Sequence, residues 1–190
     1  MRPPPRPENT VINRRRFLTL AAWGAVAAFA PGVAEASRRT LPPVRRLTFH
    51  NLHTEERLTA VYWERGEYVP EALAAIDGVL RDHRTGEVRQ MSPGLIDLLH
   101  DLATRLGEAG PVQVISGYRS PATNALLRGE DPDGVAESSL HLFGEAVDLR
   151  FERRSLRRVR DAALSLRGGG VGYYPRSGFV HLDTGRPRKW

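Results

Sequence analysis

Apolar residues recur at helical spacing in two long stretches of the chain. In the first, residues 70–83, a proline at the start is followed by a stripe made of Leu73, Ile76, Val79 and Leu80. The second runs from Ser92 to about Leu106, with Ser92 as a plausible N-cap and Pro93 in the first turn. Its stripe consists of Leu95, Leu98, Leu99, Leu102 and Leu106. Both patterns predict helices.

Shorter runs of apolar or β-branched residues between turn signals predict strands. The predicted strands are residues 47–53, 58–63, 112–116, 145–151, 171–174 and 178–182. Two further helices are predicted at 120–127 and 155–166. In the segment 145–151, Asp148 alternates with Val147 and Leu149 and so faces the opposite side of the strand. Helices mixed with hairpin-connected strands indicate an α+β fold.

The N-terminal region has the features of an export signal. The Arg-Arg-x-Phe-Leu motif at 14–18 opens an apolar run to residue 30, typical of a twin-arginine leader, and Ala-Glu-Ala at 34–36 is a small-x-small cleavage site. The alternative is a membrane anchor, but this run of about 14 residues is shorter than the ~20 that span a bilayer. The predicted organisation is a twin-arginine signal peptide at 1–36, a linker at 37–46 and a domain at 47–190, with no membrane span after cleavage.

The composition limits the chemistry that the domain can use. The chain has no cysteine, which excludes disulfides, thiolate metal sites and cysteine nucleophiles, so any metal must be bound by its six histidines and its carboxylates. The formal net charge is +6, of which residues 1–36, with five arginines and two glutamates, supply +3. The modest remaining charge fits an anionic polymer as partner and is no signature of nucleic-acid binding.

Three polar residues stand out because packing alone would not place them where they are. Asp148 and His181 each interrupt an apolar strand, and a loop containing a glycine separates His141 from Asp148. A buried carboxylate is costly unless it is paired or binds a metal, and a catalytic zinc takes three protein ligands and one water. From spacing alone, the alternative is a His–Asp ion pair that stabilises a hairpin. Asp183 lies two residues beyond His181, on the same side of the strand, within reach of a metal-bound water or of a ligand.

Several motifs are similar to those of a known group of peptidases. Ser-Gly-Tyr-Arg-Ser-Pro at 116–121 and Ser-x-His-x-x-Gly-x-Ala-x-Asp at 139–148 resemble the zinc D-alanyl-D-alanine peptidases, which share the Hedgehog-type fold. The chain from about residue 47 to 190 resembles the murein endopeptidase K family more closely. The segments that carry this resemblance are 51–54, 81–87, 117–121, 169–175 and 179–185. The resemblance implies a small, mostly antiparallel sheet flanked by helices.

The resemblance also implies roles for individual residues. The implied zinc ligands are His141, Asp148 and His181. Arg119 is implied to bind or polarise the substrate carbonyl, which suits a fixed guanidinium. Many relatives carry a glutamate as general base three residues before the last histidine, where this chain has Gly178. Asp183 is therefore the predicted general base. The residues predicted to bind substrate are Ser116, Tyr118, Ser139 and Tyr173.

The predicted function is zinc-dependent hydrolysis of amide bonds in peptidoglycan stem or cross-link peptides, during cell-wall remodelling. The substrate rests on the resemblance and on the leader. We expect a monomer in the periplasm or cell envelope, exported by the twin-arginine route. Two alternatives stay open: a non-catalytic, zinc-containing module that binds the wall, consistent with Gly178, and a carboxypeptidase that removes terminal D-alanine and differs in the shape of its cleft.

Overall fold

The structure, a computed structural model, describes residues 10–11, 44–107, 110–130 and 136–190. The predicted cleavage site lies outside these ranges, as do the linker as far as residue 43 and all of the predicted signal peptide except residues 10–11. Within the described ranges, no helix is both long enough and apolar enough to cross a membrane.

In the described part of the chain, nine strands form one mixed sheet. They are β1 (Thr10–Val11), β2 (Arg45–Asn51), β3 (Arg57–Glu64), β4 (Glu67–Tyr68), β5 (Val112–Ser116), β6 (Ala146–Phe151), β7 (Gly170–Tyr174), β8 (Phe179–Asp183) and β9 (Arg188–Lys189). Their order is β1-β3-β2-β5-β6-β8-β7-β9, with β4 paired to β3. Most neighbouring strands are antiparallel, as predicted, while three pairs are parallel: β1 with β3, β2 with β5 and β7 with β9. β2 begins at Arg45, inside the predicted linker.

The helices begin where the sequence provides a start signal. They are α1 (Pro70–Val79), α2 (Pro93–Leu106), α3 (Pro121–Glu130) and α4 (Leu156–Leu166), with a 3-10 turn, η1 (Leu140–Phe143), before β6. The first three begin with proline, which has no N–H to leave unpaired in the first turn and a φ that is already helical. The fourth is capped by Ser155, whose hydroxyl accepts a hydrogen bond from the backbone N–H of Arg158.

α1 ends earlier than the apolar pattern predicted, at Val79 instead of residue 83. Beyond it, the carboxylate of Asp82 accepts hydrogen bonds from the backbone N–H groups of Arg84 and, from a distant segment, Ser120. An aspartate that bonds nearby backbone groups favours a turn over a helix. The bond from Ser120 also holds this turn against the segment that carries Arg119. α3, in contrast, continues to residue 130, past its predicted end at 127.

The sheet has one apolar face, against which the helices pack. Leu149, Val180 and Leu182 belong to the hydrophobic core and are at most 1% exposed. α4 contacts β6, β7 and β8, while α1 contacts β3 and α2 contacts β2. Burying one side chain of this size contributes about 1.5–3 kcal/mol. Since successive residues of a strand point to opposite faces, the residues between these apolar ones project from the other side of the sheet.

Candidate metal centre

Strand pairing brings Asp148 and His181 together. The two residues lie directly opposite each other in the antiparallel pair β6–β8, and Gly172 lies opposite His181 in β7. Residues that are directly opposite in a sheet point to the same face. We call the face that carries Asp148, His181 and Asp183 the site face, and the helix-packed face that carries Leu149 the core face.

His141 reaches the site face from η1. Its Nδ1 donates a hydrogen bond to the carbonyl oxygen of Gly117 at 2.7 Å, which leaves Nε2 free to bind a metal. Gly117 approaches Leu80 so closely that a Cβ would lie 2.3 Å from the Leu80 carbonyl oxygen. Only glycine fits this approach. η1 then ends at Gly144 in the left-handed region (φ 70°), and the chain enters β6.

Three donor atoms converge on the site face: Nε2 of His141, Oδ1 of Asp148 and Nδ1 of His181. The two nitrogens are 3.2 Å apart, and Asp148 Oδ1 lies 3.3 Å from the nitrogen of His141 and 2.8 Å from that of His181. Ligands bound at about 2.0–2.1 Å to a tetrahedral zinc lie about 3.3 Å from one another. The buried set of two imidazoles and one carboxylate therefore fits a zinc ion and leaves a fourth position for water or substrate.

The charges of this cluster stabilise each other, because little water reaches them. Asp148 is 6% exposed and His181 is 9% exposed. Burial alone raises the pKa of Asp148, but the charges and hydrogen bonds of His141 and His181 outweigh burial and hold that pKa below its usual range. Burial lowers the pKa of His181, yet hydrogen bonds to Asp148 and Asp183 outweigh it and raise the pKa to about 9. Without a metal, the cluster therefore holds a His–Asp ion pair in the geometry of a metal site.

Arg119 lies at the edge of the cluster and keeps hydrogen-bonding capacity unused. Its Nη2 donates to Asp148 Oδ2 at 3.4 Å and its Nη1 to Asn124 Oδ1 at 3.5 Å, both long contacts. Its Nε is buried and has no partner among the described residues. Burial lowers the pKa of Arg119, and the nearby charge of Arg84 lowers it further, against the charge of Asp148. A buried donor without a partner is rare in folded proteins.

Comparison with known proteins identifies the family. A family model described as peptidoglycan L,D-endopeptidase MepK matches residues 39–190. This chain belongs to that family. The peptidoglycan L,D-endopeptidase MepK of Escherichia coli (strain K12) is 46% identical over 178 residues, which cover 94% of this chain and 97% of the relative. The probable peptidoglycan L,D-endopeptidase MepK of Haemophilus influenzae is 40% identical over 179 residues, covering 94% and 95%. No solved structure matches. The resemblance inferred from the motifs is thus confirmed.

In this member of the MepK family, Asp183 lies behind His181 and not beside the three converging donor atoms. Its Oδ2 accepts a hydrogen bond from Nε2 of His181 at 3.0 Å, on the side of the ring away from Asp148. Asp183 is 0% exposed and also accepts from two backbone N–H groups and from Arg188. A general base must be within hydrogen-bond reach of the water that it deprotonates. The position of Asp183 fits the other predicted role, contact with the proposed ligand His181. It does not fit the predicted role of general base.

Tyr173 does not lie where a substrate-binding residue is needed. It pairs with Val180, whose side chain belongs to the core, and its ring packs on the core face, with the guanidinium of Arg160 4.7 Å from the ring centroid. The prediction failed because one residue along a strand reverses the face. Tyr174, the next residue, shares the site face and stacks on Phe179 at a centroid distance of 4.6 Å.

The other three residues predicted to bind substrate lie on segments that build the cluster. Ser116 is directly opposite Asp148 in the β5–β6 pair. Tyr118 is 6% exposed and its backbone N–H donates to the carbonyl oxygen of Leu80. Ser139, 9% exposed, directly precedes η1, the turn that carries His141.

The sequence reasoning missed the contribution of the last described strand. Arg188 on β9 contacts both carboxylate oxygens of Asp183, at 3.2 and 2.8 Å. The ring of Trp190 lies 5.3 Å from that of His181, and its Nε1 donates to the hydroxyl of Tyr174. The sequence contains one indication of this contact. Asp183 ends an apolar strand, a buried carboxylate requires a cation, and Arg186 and Arg188 follow closely.

Proposed function

We propose that this chain is a zinc-dependent endopeptidase of the cell envelope that hydrolyses an L,D amide bond in peptidoglycan stem or cross-link peptides. The proposal depends on one observation above all, the convergence of His141 Nε2, Asp148 Oδ1 and His181 Nδ1 at separations suited to one zinc ion. The type of bond follows from the relatives, each named as a peptidoglycan L,D-endopeptidase.

The chain prepares both imidazoles to bind the metal. When bound, zinc supplies a Lewis acid for the amide carbonyl and lowers the pKa of a water molecule. The carbonyl oxygen of Gly117 holds a proton on Nδ1 of His141, and Asp183 holds a proton on Nε2 of His181. Each ring therefore presents its other nitrogen to the cluster, which is how partners of metal-bound histidines usually act.

Arg119 binds the substrate carbonyl oxygen in this proposal and stabilises the negative charge that develops on it. The support is its position, 3.4 Å from a ligand carboxylate, together with its unused Nε. A preorganised donor in a site with little water is worth more than the same donor in solution. Ser116, Tyr118 and Ser139 complete the proposed substrate-binding surface because they neighbour Asp148, Arg119 and His141 in the chain or the sheet.

The proposed location is the periplasm or cell envelope, reached by twin-arginine export. Two findings support it. The twin-arginine motif at 14–18 precedes an apolar run that is too short to span a bilayer. The relatives carry names that assign them to peptidoglycan.

A digestion assay tests the proposal. The domain 37–190 is incubated with purified sacculi, with chelator and after restoring zinc, and released muropeptides are analysed by mass. We expect release that stops with chelator and returns with zinc. Muropeptide release that is unchanged by the chelator would contradict metal-dependent hydrolysis. Binding to sacculi without release would instead support the wall-binding module, the alternative that Gly178 leaves open.

Defined muropeptide dimers then locate the bond. Mass analysis of the products should show cleavage of an internal L,D bond. Loss of a single terminal D-alanine would identify a carboxypeptidase in place of an endopeptidase. The His181→Ala variant, which lacks one of the three proposed ligands, is tested in parallel.

A further inference from the structure

β9 places a guanidinium behind the metal ligand His181. Arg188 Nη2 donates to Asp183 Oδ2 at 2.8 Å and Nη1 to Oδ1 at 3.2 Å, a two-point contact. The same Oδ2 accepts from Nε2 of His181 at 3.0 Å. Arg188, Asp183 and His181 thus form a chain of contacts that ends at the donor cluster.

We infer that Arg188 is a positioning residue, which orients Asp183 so that His181 presents Nδ1 to the metal. The inference rests on the proposed zinc site and extends it to a residue that touches neither metal nor substrate. Arg188 does this by fixing the plane of the Asp183 carboxylate. A guanidinium matches a carboxylate at two points, which a lysine ammonium cannot do.

The surroundings of Asp183 show why its orientation depends on Arg188. Oδ1 is held by the backbone N–H groups of Gly170 and Gly185, at 3.0 and 2.8 Å. Oδ2, the atom that faces His181, has Arg188 as its other partner. Asp183 is 0% exposed while Arg188 is in place, so the guanidinium and not water occupies this position. Loss of the guanidinium therefore loosens the oxygen that the metal ligand depends on.

Arg188 is itself held in place by its own strand and by Trp190. Its guanidinium lies 4.8 Å from the centroid of the Trp190 ring. β9 is anchored by two backbone hydrogen bonds, from Tyr173 N–H to the Trp190 carbonyl oxygen and from Trp190 N–H to that of Val171. β9 therefore links the position of Arg188 to β7, the neighbour of the strand that carries His181.

A positioning role can be separated from a role in folding. The Arg188 side chain is 46% exposed, whereas Asp183 is buried. Asp183 keeps three other donors when the guanidinium is lost, His181 and the backbone N–H groups of Gly170 and Gly185, so its charge stays compensated and the effect on folding stability should be small. Partners of metal-bound histidines, in contrast, change metal affinity by about 10–100-fold when they are substituted. The inference thus predicts a large change in zinc affinity with a small change in the stability of the metal-free domain.

The test compares Arg188→Gln and Arg188→Lys with the matched control Arg186→Gln. Arg186 is exposed and lies two residues away, so its substitution removes the same charge from the same segment. For each domain, the zinc dissociation constant is measured by competition with a chromophoric chelator, and the metal-free unfolding midpoint is measured in urea.

We expect Arg188→Gln to bind zinc about 10–100-fold more weakly than the unsubstituted domain. Arg188→Lys should recover part of the loss, and Arg186→Gln should match the unsubstituted domain. Equal zinc affinity in Arg188→Gln and Arg186→Gln would overturn the inference, as would full recovery by lysine. If Arg188→Gln does not fold, the zinc affinity of Arg188→Lys is compared with that of Arg186→Gln instead. A several-fold loss of affinity is expected for Arg188→Lys, and equal affinity would overturn the inference. Absence of zinc binding by the unsubstituted domain would instead refute the proposed function.

Discussion

The two faces of β6 and β8 are built from alternate residues of the same short segments, yet different forces hold them together. On the core face, Leu149 and Leu182 are at most 1% exposed and pack against apolar neighbours. On the site face, Asp148 and His181 are 6% and 9% exposed, nearly as buried. The core face is stabilised by removing apolar surface from water. The site face tolerates burial because its charges are paired with one another.

This difference predicts how each face responds to change. An apolar side chain on the core face contributes roughly by its own buried area. The contribution of a site-face charge to folding stability depends on its partners, because removing one member of a pair can leave the other charge buried without compensation. Substitutions one residue apart on a single strand should therefore separate function from stability.

The largest expected effect is on the site face. His181→Ala removes one of the three donors, so zinc binding and muropeptide release should both fall to background while the domain stays folded. Zinc content by elemental analysis, the digestion assay and circular dichroism measure this. His100→Ala on α2 is the control and should keep both zinc and activity. Zinc binding at unchanged affinity in His181→Ala would show that the ligand assignment is wrong.

The neighbouring residue on the core face should give the opposite result. Leu182→Ala should lower the free energy of unfolding by about 2–5 kcal/mol, because it leaves a cavity beneath α4. The folded fraction should still bind zinc. Urea denaturation measures the free energy of unfolding, and competition with a chelator measures zinc binding. Leu126→Ala, at a side chain that is 54% exposed, should change the free energy by less than about 0.5 kcal/mol. A loss of zinc affinity as large as that of His181→Ala would contradict the separation of the two faces.

The comparison also shows which features were predictable from sequence. Asp148 was recognised because a charged residue inside an apolar strand is a local signal, and the alternation in β6 placed it opposite Val147 and Leu149. Tyr173 was predicted to bind substrate but lies on the core face, because its side depends on the register of β7 against β8, in which Gly172 pairs with His181. Register is set by pairing between distant segments, and the sequence of one hairpin does not reveal it.

Two other differences also depend on long-range contacts. α1 stops at Val79 because Asp82 binds the backbone of Ser120, which lies far along the chain. Asp183 was correctly expected on the same side of β8 as His181, but the direction of the His181 ring decides what it contacts. That direction is set by Asp148 on one side and by Asp183 with Arg188 on the other. No local pattern contains this information.

A smaller effect is expected for the arginine at the edge of the cluster. Arg119→Lys keeps the charge but loses the planar group that we propose donates to the substrate oxygen. Turnover should fall about 100–1,000-fold, the usual loss on removing one oxyanion donor. Zinc affinity should change little, because Arg119 contacts the ligand Asp148 only at 3.4 Å. Rates on a defined muropeptide dimer and chelator competition measure the two effects. Loss of zinc with no separate loss of turnover would make Arg119 a structural partner of Asp148.

The smallest expected effect concerns Asp82, a buried carboxylate outside the cluster. It is 2% exposed and accepts from the backbone N–H groups of Ser120 and Arg84. Burial raises its pKa, but hydrogen bonds from Thr123, Ser120 and Arg84 outweigh burial and hold the pKa well below its usual range. The ionised form therefore stabilises the fold at neutral pH, and this contribution is lost as pH falls below the unfolded value of ~3.9 towards the folded pKa.

Asp82→Asn should lower the free energy of unfolding by about 1–3 kcal/mol at pH 7, because the amide group leaves a backbone N–H without an acceptor. The difference from the unsubstituted domain should shrink as pH falls below about 4 towards the lowered folded pKa, because the unfolded chain takes up a proton there before the folded carboxylate does. Urea denaturation at a series of pH values measures this. Asp161→Asn, at a side chain that is 63% exposed, serves as control and should show a small difference at every pH. A difference for Asp82→Asn that stays constant with pH would mean that folding does not change the pKa of the Asp82 carboxyl group. The hydrogen bonds to Asp82 would then not favour its charged form, in contrast to the paired charges of the site face.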